Sequence, residues 1–111
     1  MGKAALSHEE TMKKILALPT HDSLAEKSAE EIQVPLKLFL PEGRWTWFCY
    51  AYDPEYRLLS CYVHSGLGED CDEAGDTSLD ELLTLRTSLN LPVERDLFWK
   101  PKTLKEVMES R

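Results

Sequence analysis

Hydrophobic residues near the N-terminus recur at helical spacing. Met12 and Ile15 lie on one stripe, which predicts a helix over residues 7–18 with Ser7 at its N-cap. A thinner stripe follows and predicts a second helix over residues 23–32. The N-terminal part of the chain is therefore expected to be helical.

In the middle of the chain the hydrophobic spacing changes to two, which is typical of β-strands. The alternating positions predict a strand over residues 34–40. Two segments rich in β-branched and aromatic residues predict strands over 44–52 and 56–64. The turn residues Asp53 and Pro54 separate these two strands, so we expect an antiparallel hairpin.

Helical spacing returns in the C-terminal third. We expect a helix over residues 78–89 that begins at a Ser78 cap, a short strand over 96–99 and a last helix over 103–110. Strands and helices are partly segregated along the chain, which favours the α+β class. The sequence thus predicts a small antiparallel sheet packed with three to four helices, in a single domain over residues 1–111.

The composition is that of a folded protein without a membrane segment. The chain has 111 residues, 42% of them hydrophobic, and no hydrophobic run approaches the roughly 18 residues that cross a bilayer. Three cysteines cannot all pair within one chain, which favours free thiols and a cytoplasmic location. The formal net charge of −7 makes direct binding to nucleic acid an unfavoured role.

The negative charge is concentrated in one segment, residues 69–81. This segment contains no lysine or arginine, and its seven carboxylates equal the net charge of the whole chain, so the rest of the chain is neutral. One interpretation is a solvated loop that leads into a helix N-terminus, and the other is a surface for a basic partner. The seven residues are Glu69, Asp70, Asp72, Glu73, Asp76, Asp80 and Glu81.

Part of the same segment resembles a calcium-binding loop. Asp70, Asp72, Gly75 and Glu81 occupy positions 1, 3, 6 and 12 of that pattern, where carboxylate oxygens and a turn residue are needed. Ala74 supplies no oxygen at position 5, and a strand rather than a helix is expected before the loop. A divalent-cation-binding module is therefore an alternative function, and otherwise no cofactor is expected.

The strand over residues 44–52 is unusually aromatic. Its alternation places Trp45, Trp47 and Ala51 on one face of the strand. The other face then carries Tyr50 and Tyr52. Both faces are core if helices cover the sheet on two sides. If one face is open, the aromatic residues form a recognition surface, with Arg57 as a nearby anchor.

No catalytic residue can be assigned from the sequence. A cysteine such as Cys61 or Cys71 near His64 leaves a small cysteine-dependent enzyme as a further alternative. The chain lacks a nucleophile elbow, a phosphate-binding glycine loop and a zinc-protease HExxH motif. Binding is therefore favoured over catalysis.

Four motifs occur in order along the chain: Trp45-Thr46-Trp47, Tyr52-Asp53-Pro54-Glu55, Ser78-Leu79-Asp80-Glu81-Leu82 and Leu91-Pro92-Val93-Glu94-Arg95-Asp96-Leu97, followed by Pro101 and Leu104. In this order and spacing they resemble one family of small bacterial proteins that plasmids and integrative elements often carry. The family is a domain of unknown function, so the resemblance implies a related fold and a mobile-element setting but no reaction. It covers about residues 34–107. The chain departs from the family pattern at Cys61, where members have glycine, and at Asp76 and Thr77, where they are aromatic.

The sequence as a whole favours a small, non-enzymatic, cytoplasmic protein that binds a basic protein partner. One concrete form is a mobile-element-encoded inhibitor of nucleic-acid-processing defence machinery, because an anionic surface can occupy a site built for phosphates. The sequence does not indicate the oligomeric state. The residues expected to contact the partner are Glu69, Asp70, Asp72, Glu73, Asp76, Trp45, Trp47, Tyr50, Tyr52 and Arg57.

Overall fold

Two β-sheets and three α-helices make up most of the regular structure in this computed structural model, which describes residues 2–41, 45–65 and 73–109. The predicted α+β class with an antiparallel sheet is confirmed. In chain order the elements are β1 (Lys3–Ala5), α1 (Glu9–Leu16), a 3₁₀ helix (Asp22–Leu24), β2 (Gln33–Val34), β3 (Leu36–Phe39), β4 (Thr46–Asp53), β5 (Leu58–His64), β6 (Glu73–Ser78), α2 (Leu79–Thr84), β7 (Glu94–Asp96), β8 (Lys102–Thr103) and α3 (Leu104–Glu109).

The larger sheet has six strands in the order β1-β7-β3-β4-β5-β6, and every neighbouring pair is antiparallel. Strands β2 and β8 form a separate antiparallel pair. The two ends of the larger sheet are β1 and β6, so β6 is an edge strand. Among the described helices, none has the length and hydrophobicity needed to cross a bilayer.

Hydrophobic side chains cover both faces of the larger sheet. On the first face, Ile15 of α1 and Leu79 and Leu82 of α2 pack against residues of β3, β4 and β5. On the second face, Leu104 and Val107 of α3 pack against β2, β4 and β5. Both Leu104 and Val107 are buried.

A β-bulge in β4 changes which residues face which layer. Cys49 pairs with Cys61, but the next pair is Ala51 with Ser60, so Tyr50 is the extra residue. A bulge interrupts the two-residue alternation. As a result Ala51 packs on the second face with Tyr50, and Tyr52 packs on the first face. The expectation that Ala51 shares a face with Trp47, and Tyr52 with Tyr50, is therefore wrong.

Proline and hairpin geometry set the strand bounds. The strand predicted over 34–40 is split into β2 and β3 at Pro35, which has no N–H to donate to a ladder. The strands expected over 44–52, 56–64 and 96–99 are instead β4, β5 and β7, each within a few residues of its predicted position.

The helices are shorter than their hydrophobic spacing indicates. Helix α1 is capped by His8, whose Nδ1 accepts the Glu10 N–H at 3.2 Å, so the Ser7 cap is wrong. The region expected to be helical over 23–32 contains only the 3₁₀ helix at Asp22–Leu24. The Ser78 cap of α2 is confirmed, although that helix ends at Thr84 instead of 89.

The largest departure from expectation is β6. Residues 73–78 are acidic and polar and were expected within a loop, yet all six pair with β5, from Leu58 opposite Ser78 to Val63 opposite Glu73. Regular backbone pairing with an adjacent strand outweighs the low β-propensity of Glu, Gly and Asp here. Six of the thirteen residues of the acidic segment 69–81 are therefore part of the sheet.

Candidate functional site

A stacked pair of tryptophans lies on the first face of the sheet, where β4 begins. Trp45 and Trp47 are two residues apart along an extended segment, so both side chains project to the same side. Their ring centroids are 6.3 Å apart and their ring planes differ by 18°. Trp47 is 5% exposed and Trp45 is 43% exposed. The buried ring therefore supports a neighbour that presents its surface to solvent.

The two rings border a groove lined by residues near β4, on β6 and on α2, which we call the tryptophan groove. One part has a volume of about 400 Å³ and the adjoining part about 350 Å³. Trp45, Trp47, Thr77 and Glu81 border both parts. Leu40, Leu82 and Leu85 complete the first part, and Val63, Glu73, Gly75, Asp76 and Ser78 complete the second.

Gly75 keeps the second part of the groove open. It pairs with Cys61, which belongs to the first face, so a side chain at position 75 would project toward the groove. Apart from its immediate chain neighbours, no atom of the described residues lies within 4 Å of the position that a β-carbon at Gly75 would occupy. By the same alternation Glu73 and Thr77 project to this side. The groove thus has an aromatic wall, an open space at Gly75 and a carboxylate on β6.

The described residues that line the groove include three carboxylates and no lysine or arginine. Glu73 of β6 and Glu81 of α2 are both exposed, and neither is in an ion pair within the described part of the chain. The nearby Asp80 differs, because Arg57 pairs with it at 2.9 Å through both Nη2 and Nε. Among the described residues, the groove therefore has two carboxylates without an ion-pair partner beside an aromatic surface.

Arg57 is occupied elsewhere and does not line the groove. It lies in the turn between β4 and β5 with a positive φ of 54°, and its guanidinium holds Asp80. The structure therefore does not bring it together with Trp45. Its role as a partner anchor stays a prediction.

Asp76 borders the groove, but its carboxylate is engaged on the second face. The Asp76 carboxylate accepts a hydrogen bond from the Ser60 hydroxyl at 3.2 Å. On its other side, the Ser60 Oγ lies 3.2 Å from His21 Nδ1. In a hydrolase triad the histidine lies between the serine and the carboxylate, whereas here the serine lies between them. The arrangement positions Asp76 and does not activate Ser60. Sequence reasoning missed it because its members come from three separate segments.

Tyr50 and Tyr52 are buried on opposite faces of the sheet and do not line the groove. The pKa of the Tyr50 hydroxyl is raised, mainly by burial and to a lesser extent by the nearby Cys61 and Asp76. The bulge thus separates the two tyrosines from each other and from the tryptophans. Their contact with a partner stays a prediction.

The two cysteines in the described part of the chain do not form a nucleophilic site. Cys49 and Cys61 are fully buried. Burial, together with the hydrogen bond to Cys61, raises the pKa of Cys49 well above its ordinary value, which keeps this thiol protonated. Cys71, the other cysteine considered for catalysis, lies outside the described residues.

The calcium interpretation falls largely outside the described residues, because Asp70 and Asp72 are not among them, nor is Glu69. Within the predicted loop, Glu73–Ser78 is extended and spans about 17 Å, which does not favour a compact turn around an ion. Glu81 follows in α2. Over residues 2–41, 45–65 and 73–109, no group of three His, Cys, Asp or Glu side chains could hold a metal ion. Calcium binding stays a prediction.

Several groove residues carried no functional signal in the sequence. Thr77 was expected in a loop, and Leu82 and Leu85 are ordinary positions of a hydrophobic helix stripe. Gly75 was singled out only as the turn position of the calcium-loop pattern. Their placement beside the tryptophans depends on the pairing of β6 with β5. A sequence argument would have needed that pairing first.

A scan of protein-family models matches residues 7–108 to one family, described as "Protein of unknown function (DUF2958)". No curated protein and no solved structure matches the chain. The match covers nearly the whole chain, including the tryptophan groove.

Proposed function

Because the chain belongs to the DUF2958 family, described only as of unknown function, we propose a function from its surface: it binds a basic protein partner. The contact is the tryptophan groove together with the acidic segment 69–81. The observation that carries this proposal is that Trp45 shares one groove with Glu73 and Glu81, two carboxylates without an ion pair among the described residues.

The groove chemistry is complementary to arginine and lysine. A cation over a tryptophan ring gains about 0.5–1 kcal/mol at an exposed site and about 2 kcal/mol when water is excluded. A carboxylate at the rim of the same site adds a charge-assisted hydrogen bond. Tryptophan is also among the residues enriched in the centres of protein interfaces. The groove therefore offers both parts of a binding site for a cationic side chain.

One form of this function is inhibition of machinery that processes nucleic acid. Surfaces that bind phosphates are basic, and an acidic protein competes for them without contacting nucleic acid itself. The resemblance to plasmid and integrative-element proteins fits such a role. We place the interaction in the cytoplasm, where free cysteines persist.

The proposal is tested by calorimetric titration of the protein with a capped synthetic peptide of alternating arginine and valine. We expect binding that weakens as ionic strength rises, because salt screens exposed charges. The double variant Glu73→Gln, Glu81→Gln should weaken binding about tenfold, since each lost exposed pair contributes up to about 1 kcal/mol. Trp45→Ala should weaken it by a similar factor.

The matched control is the double variant Glu26→Gln, Glu55→Gln. It changes the net charge by the same amount at two exposed residues that do not line the groove. We expect the control to bind the peptide as the unmodified protein does. Equal weakening in both double variants, or no peptide binding at all, contradicts the proposal.

A further inference from the structure

We propose that the basic partner segment binds in an extended conformation, as an added strand along the outer edge of β6. This inference rests on the proposed function and specifies the form of the partner. Strand addition to an open sheet edge gives affinity through backbone hydrogen bonds, and alternate side chains give specificity.

Within residues 2–41, 45–65 and 73–109, only one edge of β6 is paired. The inner edge pairs with β5 through all six residues of Glu73–Ser78, and no described strand pairs with the other side. Residues 73–76 are exposed. An edge strand of this kind presents a row of N–H and C=O groups that another chain can pair with.

The charge of this edge selects its occupant. Glu73 projects to the first face and Asp76 to the second, so an added strand meets a carboxylate on each of its two sides. Two copies of β6 placed edge to edge would bring like charges together, which is unfavourable. A basic segment on this edge would instead place positive charges beside the two carboxylates, which is favourable. The edge is therefore closed to self-association and open to a cationic chain.

The space at Gly75 connects this edge with the tryptophans. Directly opposed residues on neighbouring strands lie about 4.5–5.5 Å apart. A residue opposite Gly75 on the added strand would thus project beside the open space that borders Trp47 and Glu73. A long cationic side chain passes over Gly75 without a clash. The expected partner sequence therefore has arginine or lysine at alternate positions.

The opposite end of the sheet does not offer the same chemistry. Strand β1 has only the three residues Lys3–Ala5, and its one charged side chain is Lys3, which pairs with Glu94 at 3.3 Å. A basic strand would meet a like charge there. The inference is accordingly specific to β6.

The decisive experiment leaves the protein unchanged and alters the peptide backbone. Two versions of the arginine–valine peptide are N-methylated at alternate residues, one at odd and one at even positions, and their affinities are measured by calorimetry. Every second N–H of an edge-bound strand donates to the sheet, and the others point away. We expect one version to lose at least about tenfold in affinity, consistent with several lost hydrogen bonds, and the other to bind like the parent peptide.

A protein variant tests the contact with the groove. Gly75→Val fits the open space and raises β-propensity, so we expect the fold to persist, as judged by an unchanged melting temperature or a higher one. The added side chain blocks the path to the tryptophans, so the parent peptide should bind severalfold more weakly. Unchanged affinity in this variant contradicts the proposed path.

The outcomes separate the two proposals. If both N-methylated versions bind equally, whether as well as the parent or both more weakly, strand addition is wrong. The proposed function survives that result if the Glu73→Gln, Glu81→Gln variant still loses affinity and its control does not. If the parent peptide does not bind, both proposals fail.

Discussion

The Sγ atoms of Cys49 and Cys61 lie 3.2 Å apart across strands β4 and β5. The two residues are direct partners in the strand register, and both are fully buried. The Cys49 thiol also lies 3.7 Å from the carbonyl oxygen of Trp47. Because burial and the contact with Cys61 raise the pKa of Cys49, the pair behaves as part of the hydrophobic core.

We predict that these thiols react with an alkylating reagent only when the protein unfolds. In the variant Cys71→Ser, Cys49 and Cys61 are the remaining cysteines, and their labelling at about pH 8 should be at least about a hundredfold slower in buffer than in denaturant. Mass spectrometry of timed samples measures both rates. Rapid labelling of the folded variant would contradict this prediction and would favour the alternative function of a small cysteine-dependent enzyme.

A second prediction concerns the centre of the sheet. Leu38 of β3 is fully buried between β4 and β7, so Leu38→Ala should lower the free energy of unfolding by about 2–5 kcal/mol. Leu89→Ala is the control, because Leu89 is 64% exposed and should change stability by less than about 0.5 kcal/mol. Urea denaturation measures both. Equal effects at the two positions would contradict the assignment of this core.

The third prediction concerns the turn at Arg57, whose φ is 54°. Arg57→Gly and Arg57→Ala both remove the exposed ion pair with Asp80, but only glycine adopts this backbone conformation without cost. We expect the glycine variant to be more stable than the alanine variant by about 1 kcal/mol. Thermal denaturation of the two variants tests this difference. The reverse order would contradict a left-handed residue here.

The fourth prediction is a pH dependence at the start of α3. Hydrogen bonds from the backbone N–H and hydroxyl of Thr103, each 3.0 Å long, lower the pKa of the Glu106 carboxyl. A carboxyl group whose pKa is lowered in the folded protein stabilises the fold at pH values above its pKa in the unfolded chain, which is about 4.3. This stabilisation is lost as the pH falls through the pKa of the folded protein. In Glu106→Gln, stability should therefore decline less as pH falls below about 4.3.

The measurement for this fourth prediction is a series of urea titrations from neutral to acid pH. The control is Glu109→Gln, which removes an exposed carboxylate at the other end of the same helix, away from Thr103. If the free energy of unfolding falls equally steeply at acid pH in Glu106→Gln and in the unmodified protein, the role of the Thr103 hydrogen bonds is contradicted.

The sequence was sufficient to predict features of the fold that depend on residues close together along the chain. The Ser78 cap was predictable because its partner, the Glu81 N–H, is three residues away. Pro35 is an equally local signal, yet one unbroken strand was expected over residues 34–40, and the pairing of β2 in a different sheet was not predicted. The bulge at Tyr50 gave no sequence signal, and it moved Tyr52 to the other face.

The candidate site was only half predictable for the same reason. The sequence singled out Trp45 and Trp47 by their type, and Glu73 by its place in the acidic segment. It could not bring them together, because their proximity requires β6 to pair with β5 as a strand. Glutamate, glycine and aspartate at positions 73, 75 and 76 are poor strand formers, so local propensity indicated a loop.

Ser78 is both the last residue of β6 and the N-cap of α2, so no connecting loop separates the strand from the helix. Any displacement of the strand must carry the first helical turn with it. The backbone positions of Glu73 and Glu81, on either side of this junction, are therefore set by one continuous strand and helix. A receptor shaped in advance spends little conformational entropy when it is occupied, which favours tight association with a small contact area.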